Sequence, residues 1–125
     1  MKIDAIESEI QSKGLTAPRI TPADIEDNIA SERYFTAADG VLGAYRNGGD
    51  VHPHGGTPDE SEQQALGLLT FCVLVLRNGF TVTGESACAS PENFDAEIGR
   101  KIARQNAVAK IWPLMGYELK SKLAD

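Results

Sequence analysis

The sequence contains few of the features that mark membrane, secreted or zinc-binding proteins. Its longest apolar run, residues 68–76, is nine residues long, about half of what a membrane-spanning helix needs. Two cysteines separated by fifteen residues form neither a disulfide framework nor a zinc pattern. The first residues lead into alternating acids and do not resemble a secretory signal. These absences predict one cytosolic domain with reduced thiols and without a transmembrane helix.

Positive charge is scarce in the first half of the chain. Residues 1–62 contain five Lys or Arg and twelve Asp or Glu, residues 63–89 contain one of each, and residues 90–125 contain six and five. The net charge of −6 therefore arises in the N-terminal half. Since phosphate contacts dominate affinity for nucleic acids and anionic membranes, the charge pattern argues against general binding to either.

The apolar run is followed by Asn78-Gly79 and by a second β-rich segment, residues 80–88. Asn-Gly between two such segments is typical of a two-residue type I′ hairpin, because both loop residues need positive φ. This register pairs Val73 with Gly84 and places Val73 and Val75 on the face that forms the main core.

The other face of this predicted hairpin carries Cys72, Leu74 and Leu76 opposite polar residues of the second strand. A two-stranded hairpin is barely stable alone, so a further element or subunit must cover that face. We therefore expect a homo-oligomer, most simply a dimer, with Cys72, Leu74 and Leu76 in its interface.

Helical periodicity and helix-start residues predict helices over residues 2–13, 22–35, 58–66, 90–112 and 117–123. Pro113 and Gly116 interrupt the long helix. One arc of that helix is expected to pack on the hairpin and contains Phe94, Ile98, Ile102, Gln105, Ala109 and Trp112.

These elements predict an α+β fold, in which an antiparallel hairpin or short sheet packs against a long C-terminal helix and N-terminal helices flank it. The whole chain, 1–125, forms one domain, with a helical part over 1–66 and a hairpin–helix core over 68–123.

The hairpin and the helix after it resemble a family of small tailed-phage proteins, whose usual reference member is the gene 66 product of a Shigella phage. The resemblance covers roughly residues 68–123 and is carried by the run Ser86-Ala87-Cys88-Ala89-Ser90-Pro91-Glu92-Asn93-Phe94-Asp95 and by the later Lys110-Ile111-Trp112-Pro113. It implies a bacteriophage accessory protein that acts in the cytoplasm of the infected bacterium. It implies no activity, cofactor or site residue.

Arg100 and Arg104 lie one turn apart on the long helix, and Ser90 lies at its predicted start. Two guanidinium groups near free helix amides can form an anion-binding corner. The alternative is a solvated helix flank, on which Glu97 pairs with its i+3 and i+4 neighbours.

Two further sites could carry chemistry. Cys88 lies two residues before the predicted helix start, where the helix dipole lowers a thiol pKa, although it is also expected to face the core. Asp50, His52 and His54 alternate in a glycine-rich loop and could hold a metal, whereas the alternative is a mobile polar loop.

Three functions remain open from these residues. The first is a non-catalytic phage accessory protein that binds a host or phage protein and modulates host physiology or defence. The second is an oligomer that sequesters a small anionic, nucleotide-like ligand. The third is an enzyme that uses Cys88 or a metal at His52 and His54. No catalytic constellation and no cofactor motif distinguishes them, and the first is the leading expectation.

Overall fold

The computed structural model describes residues 3–49 and 56–125. In chain order the helices and strands are α1 (Ile3–Ser12), α2 (Pro22–Asp27), β1 (Ile29–Thr36), α3 (Ala37–Arg46), α4 (Glu60–Leu66), β2 (Leu69–Leu76), β3 (Thr81–Ala87) and α5 (Ala96–Ala124), with a 3₁₀ turn over Pro91–Asn93. The strands form an antiparallel sheet in the order β1-β2-β3, and α5 packs against it. The predicted α+β class is confirmed.

The predicted helix over residues 22–35 is wrong beyond its second turn. Thr21 and Asp24 form a capping box that starts α2, but the helix ends at Asp27. The following residues form β1, which pairs with β2 so that Tyr34 faces Cys72 and Phe35 faces Phe71. Aromatic side chains suit a pleated, half-buried surface, and the ladder to β2 pairs backbone groups that a longer α2 would have paired internally.

The hairpin between β2 and β3 has a three-residue loop rather than the predicted two-residue one. The Gly79 amide donates to the Leu76 carbonyl at 2.9 Å, and the Leu76 amide donates to the Phe80 carbonyl at 2.8 Å. Gly79 has a φ of +89°, whereas Asn78 does not have positive φ and instead accepts from the Phe80 amide through its side chain at 2.9 Å. A type I′ turn needs positive φ at both loop residues, so the predicted turn is wrong.

This difference of one residue changes which side of β2 faces the core. Cys72 faces Gly84 and Leu74 faces Val82 across the hairpin. Cys72 and Leu74 are fully buried and Leu76 is 4% exposed. The prediction that Val73 and Val75 form the core face is therefore wrong. The three residues expected at a subunit interface are core residues of the single chain, packed beneath α5.

The row of α5 residues that contacts the sheet also differs from the prediction. The buried row consists of Gly99, Ala103, Ala107 and Ile111, so its first three residues are small. A Cβ on Gly84 would collide with the Ala103 carbonyl and the Ala107 amide, so the helix backbone lies directly on β3. Large side chains would hold the helix away from Gly84, because interiors are packed at close to crystal density.

Ile98 and Ile102, predicted to pack on the hairpin, are instead 56% and 42% exposed. The helix also continues through Pro113 and Gly116 to Ala124, so the separate last helix is wrong. Proline removes one backbone hydrogen bond from a helix interior, but here the flanking turns continue on both sides of it.

The shorter helices position the end of the sheet. Thr36, the last residue of β1, forms a capping box with Asp39 and begins α3, a helix that is absent from the predicted elements. Asp59 caps α4 by accepting from the Glu62 amide. Within residues 3–49 and 56–125, no helix combines the length and the apolar character needed to cross a membrane.

Candidate functional site

A cleft of about 120 Å³ opens where β1 ends and α5 begins. Three parts of the fold meet there. They are the end of β1 with the first turn of α3, the start of β2, and the first turns of α5. The lining residues are Tyr34, Phe35, Thr36, Asp39, Thr70, Phe94, Ala96 and Arg100. Two helix N-termini, one cation and three aromatic residues therefore border the same cleft.

Arg100 is the cation of this cleft. It is exposed, and it forms no ion pair with another described residue. A guanidinium with open donors binds phosphates and carboxylates through paired hydrogen bonds. Helix N-termini add positive potential, although one first-turn amide of each helix is already engaged: the Asp39 amide of α3 donates to the Thr36 hydroxyl, and the Ile98 amide of α5 donates to the Asp95 carboxylate.

Asp39 gives the cleft a carboxylate as well. A bare anion would be repelled by it, whereas a ligand with hydroxyl or amino donors could donate to its free lone pairs. Phe94 borders the cleft, whereas the ring of Phe35 pairs with Phe71, with centroids 5.7 Å apart, on the face of the sheet opposite α5. The combination suits a ligand that carries an anionic group, hydrogen-bond donors and a planar ring.

Arg104, predicted to share the anion site with Arg100, is occupied elsewhere. Its guanidinium donates to Glu26 through two bonds of 2.7 and 3.1 Å and to Glu32 at 3.3 Å. These contacts join α5 to α2 and β1, and the Arg104 hydrogen bonds lower the pKa of Glu26. The structure therefore gives Arg104 a structural ion pair and does not bring it to the cleft.

The same network continues into the core. The Tyr34 hydroxyl donates to Glu32 at 2.7 Å, and burial together with this bond raises the pKa of Tyr34. Burial raises the pKa of the Cys72 thiol as well. Both pKa shifts lead away from neutral pH, so neither group is expected to change its charge there. The hydrogen bonds of Arg104 and Tyr34 to Glu26 and Glu32 therefore have a structural role: they hold β1, α2 and α5 together.

Ser90 and Cys88 do not form the predicted helix-start site. The α-helix begins at Ala96 with Asp95 as its cap, and Ser90 precedes a 3₁₀ turn without a side-chain capping bond. Ser90 is not part of the cleft lining. The Cys88 thiol donates to the Ser90 carbonyl at 3.2 Å. Cys88 therefore precedes the 3₁₀ turn and not the first turn of α5.

The proposed metal loop with Asp50, His52 and His54 lies outside the described residues. Elsewhere, in residues 3–49 and 56–125, no three His, Cys, Asp or Glu side chains converge in a way that could hold a metal ion.

Sequence reasoning missed the β1 side of the cleft. Tyr34 and Phe35 were expected in a helix, and no element was predicted over Thr36 and Asp39. Thr-x-x-Asp before an apolar segment is close to a capping-box pattern and could have indicated the start of α3. Their proximity to Arg100, however, depends on β1 pairing with β2, which no local pattern encodes.

The opposite face of the sheet is only partly covered. α3 packs at the end that carries Phe35 and Phe71. Farther along β2, Val73 and Val75 remain partly exposed on this face, next to Thr81 and Thr83 of β3. After the Arg100 cleft, this partly covered face of the sheet is the second surface that could take part in binding.

Comparison with known proteins gives one match. The model of the phage protein (N4 Gp49/phage Sf6 gene 66) family matches residues 20–123. This range contains the whole sheet, α5 and every lining residue of the Arg100 cleft, and it leaves out α1. No curated protein and no solved structure matches the chain.

Proposed function

The chain belongs to the phage protein (N4 Gp49/phage Sf6 gene 66) family. We propose that it is a bacteriophage accessory protein and, from the geometry of its cleft, that it binds a small anionic, nucleotide-like ligand at the Arg100 cleft. It acts in the cytoplasm of the infected bacterium, where sequestering such a ligand would alter host physiology or defence. The observation that carries the proposal is an arginine with open donors beside aromatic rings and a carboxylate.

The chemistry of the cleft favours a nucleotide over a simple anion. The guanidinium of Arg100 would bind a phosphate, Phe94 would stack on the base, and Asp39 would accept from a ribose hydroxyl or an exocyclic amine. The cleft volume of about 120 Å³ is below the ~300–1,000 Å³ of typical small-molecule pockets. It therefore holds one part of such a ligand, and the rest extends across the open rim.

The test uses small molecules extracted from infected cells. The purified full chain is incubated with the extract, separated from unbound compounds by filtration and denatured, and the released compounds are identified by mass spectrometry. We expect enrichment of an anionic compound with a nucleobase. AMP, adenosine and inorganic phosphate, tested by calorimetry, then show whether phosphate and base are both needed.

Arg100→Gln should abolish the enrichment, because it removes the charge and the paired donors. Lys101→Gln is the matched control, since Lys101 is adjacent on α5 but pairs with Glu97 at 3.4 Å in an exposed position. No enriched compound, or equal enrichment by Arg100→Gln and the wild type, would contradict the proposal.

The partly covered sheet face supports a second candidate, the binding of a host or phage protein. Val73 and Val75 present apolar surface flanked by polar strand residues, which is typical of a docking patch. A photo-crosslinking residue at position 75 in infected cells should then give a discrete adduct with one protein. The same residue at exposed position 120 on α5 should not.

A further inference from the structure

Eight residues of α5 form a stripe that we call the seam. They are spaced alternately by four and three residues: Ile98, Ile102, Gln105, Ala109, Trp112, Gly116, Leu119 and Leu123. This alternation is that of the a and d positions of a heptad repeat, which meet a second helix in coiled coils. Five of the eight are large apolar residues, and the repeat runs almost the full length of the helix.

Most of the seam faces away from the sheet, although Trp112 packs against the edge of the buried core. The row Gly99, Ala103, Ala107 and Ile111 makes that contact and is buried. On the seam, Ile98 is 56%, Ile102 42% and Leu123 55% exposed, while Trp112 and Leu119 are half-buried. No part of residues 3–49 and 56–125 fully covers this stripe, so an apolar surface of helical length remains in water.

We propose that a second copy of this chain covers the seam with its own α5, and that the two helices run antiparallel. An antiparallel pair can place every a position opposite a d position. The four layers, each occurring twice, are then Ile98–Leu123, Ile102–Leu119, Gln105–Gly116 and Ala109–Trp112.

Size complementarity selects this arrangement. Trp112 lies opposite Ala109, and Gln105 lies opposite Gly116, so each large side chain meets a small one. A parallel pair would stack Trp112 on its own copy and Gly116 on its own copy. One layer would be overpacked and the other would enclose a void, and both cost stability.

The length of the seam brings the contact close to the size of a stable interface. From Ile98 to Leu123 the helix rises about 38 Å, at 1.5 Å per residue, and it is ~10 Å wide. The footprint is therefore roughly 400 Å² on each chain, and interdigitating side chains raise the total towards the ~1,000 Å² of stable interfaces. Lys101 and Lys122 lie beside the seam. They form ion pairs with Glu97 and Glu118 of the same helix, at 3.4 and 4.0 Å.

The first experiment measures the mass of the full chain by light scattering at micromolar concentration. We expect twice the chain mass of 13.4 kDa. Ile102→Lys and Leu123→Lys, two exposed seam positions at opposite ends of the helix, should each give a folded monomer by circular dichroism. Leu114→Lys is the control, because Leu114 is 41% exposed on the same helix and lies off the seam.

A wild-type mass of one chain overturns the proposal. So does a dimer that persists in both Ile102→Lys and Leu123→Lys, since its interface would lie elsewhere. Leu123 lies in the last turn of the helix, where a charge cannot unfold the sheet, so this variant gives a result even where Ile102→Lys does not fold.

The second experiment tests the direction of the helices by oxidation in a Cys88→Ser background. The double variant Gln105→Cys/Gly116→Cys should form disulfide-linked dimers, because these positions face each other between antiparallel copies. Gln105→Cys alone should not. Crosslinking by the single variant would show parallel helices and overturn the arrangement.

This inference is independent of the Arg100 cleft. At 100° per residue, Arg100 and Ile102 point about 160° apart around the helix. Loss of ligand binding in Arg100→Gln should therefore leave the dimer intact, and Ile102→Lys should still bind the compounds that the wild type enriches.

Discussion

Gly84 sets the distance between α5 and the sheet. It is the buried residue of β3 that faces Cys72, and the backbone of α5 at Ala103 and Ala107 occupies the place of a side chain. Asn106 reinforces this contact by donating from its side-chain amide to the Glu85 carbonyl at 2.8 Å. This close packing of α5 on β3 thus depends on the absence of one methyl group.

Gly84→Ala should lower stability by roughly 3 kcal/mol, because an extra methyl group forces the helix off the strand. The measurement is a urea melt followed by circular dichroism. Gly43→Ala is the matched control: Gly43 lies within α3 with no atom within 4 Å of an added Cβ, so it should gain up to ~1 kcal/mol of helix propensity. Equal effects of the two changes would show that α5 does not contact β3 as described.

The roles of Arg100 and Arg104 also depend on the residues that surround them. They are identical in type and lie one turn apart, but Arg104 contacts Glu26 and Glu32 whereas Arg100 opens into the cleft. Their different roles follow from the position of α2 and the end of β1, not from the spacing of the two arginines.

Among the elements, β2 is the center of the fold. It pairs with β1 on one side and β3 on the other, and its residues alternate between buried and half-buried along its whole length. The one-residue difference in the hairpin loop decides which half of this alternation is covered by α5.

Leu74→Ala should therefore cost about 2–5 kcal/mol, since Leu74 is fully buried and its truncation leaves a cavity. Val73→Ala, one residue earlier on the half-buried face, should cost less than about 1 kcal/mol. Chemical denaturation of both variants gives the comparison. A larger stability loss in Val73→Ala than in Leu74→Ala would instead support the two-residue hairpin, with Val73 on the core face.

At the scale of the whole molecule, stability should depend on acid pH through two ion pairs. Arg19 holds Glu7 with two bonds of 2.8 Å and lowers the pKa of Glu7 to about 2. Arg104 lowers the pKa of Glu26. The first pair fixes α1 to the segment before α2, and the second joins α2 to α5.

Both folded-state pKa values lie below the unfolded value of 4.5. The stability that these pairs contribute is therefore fully present above pH ~4.5 and is lost as pH falls through the folded values. We expect the melting temperature of the wild type to fall between pH ~4.5 and 2. The fall should be smaller in Glu7→Gln/Glu26→Gln, which cannot take up those protons. In an NMR titration, Arg19→Gln should return the pKa of Glu7 towards 4.5; an unchanged value would show that Arg19 is not its cause.

The sequence alone determined the features that depend on near neighbours. The hydroxyl–proline start of α2, the left-handed Gly14 after α1, the two strands around Asn78-Gly79 and a long C-terminal helix all follow from local backbone preferences and short-range patterns. The run of residues around Ser90-Pro91-Glu92 was also sufficient to indicate the phage family, which the match over residues 20–123 confirms. In the candidate site, Arg100 was found for the same reason, because helical spacing is a local property.

Only the tertiary structure decided the rest. Residues 29–36 form a strand because β2 offers an unpaired edge, and this pairing brings Tyr34, Phe35 and Thr36 to Arg100. A helix with two apolar rows can pack either row on a sheet. A prediction from apolar periodicity selects the row that has the larger residues. Gly84 reverses that choice, since only the small row of α5 fits against a residue without a side chain. The fit between α5 and the sheet depends on residues far apart in the chain, and a periodicity within one helix contains no information about the partner it meets.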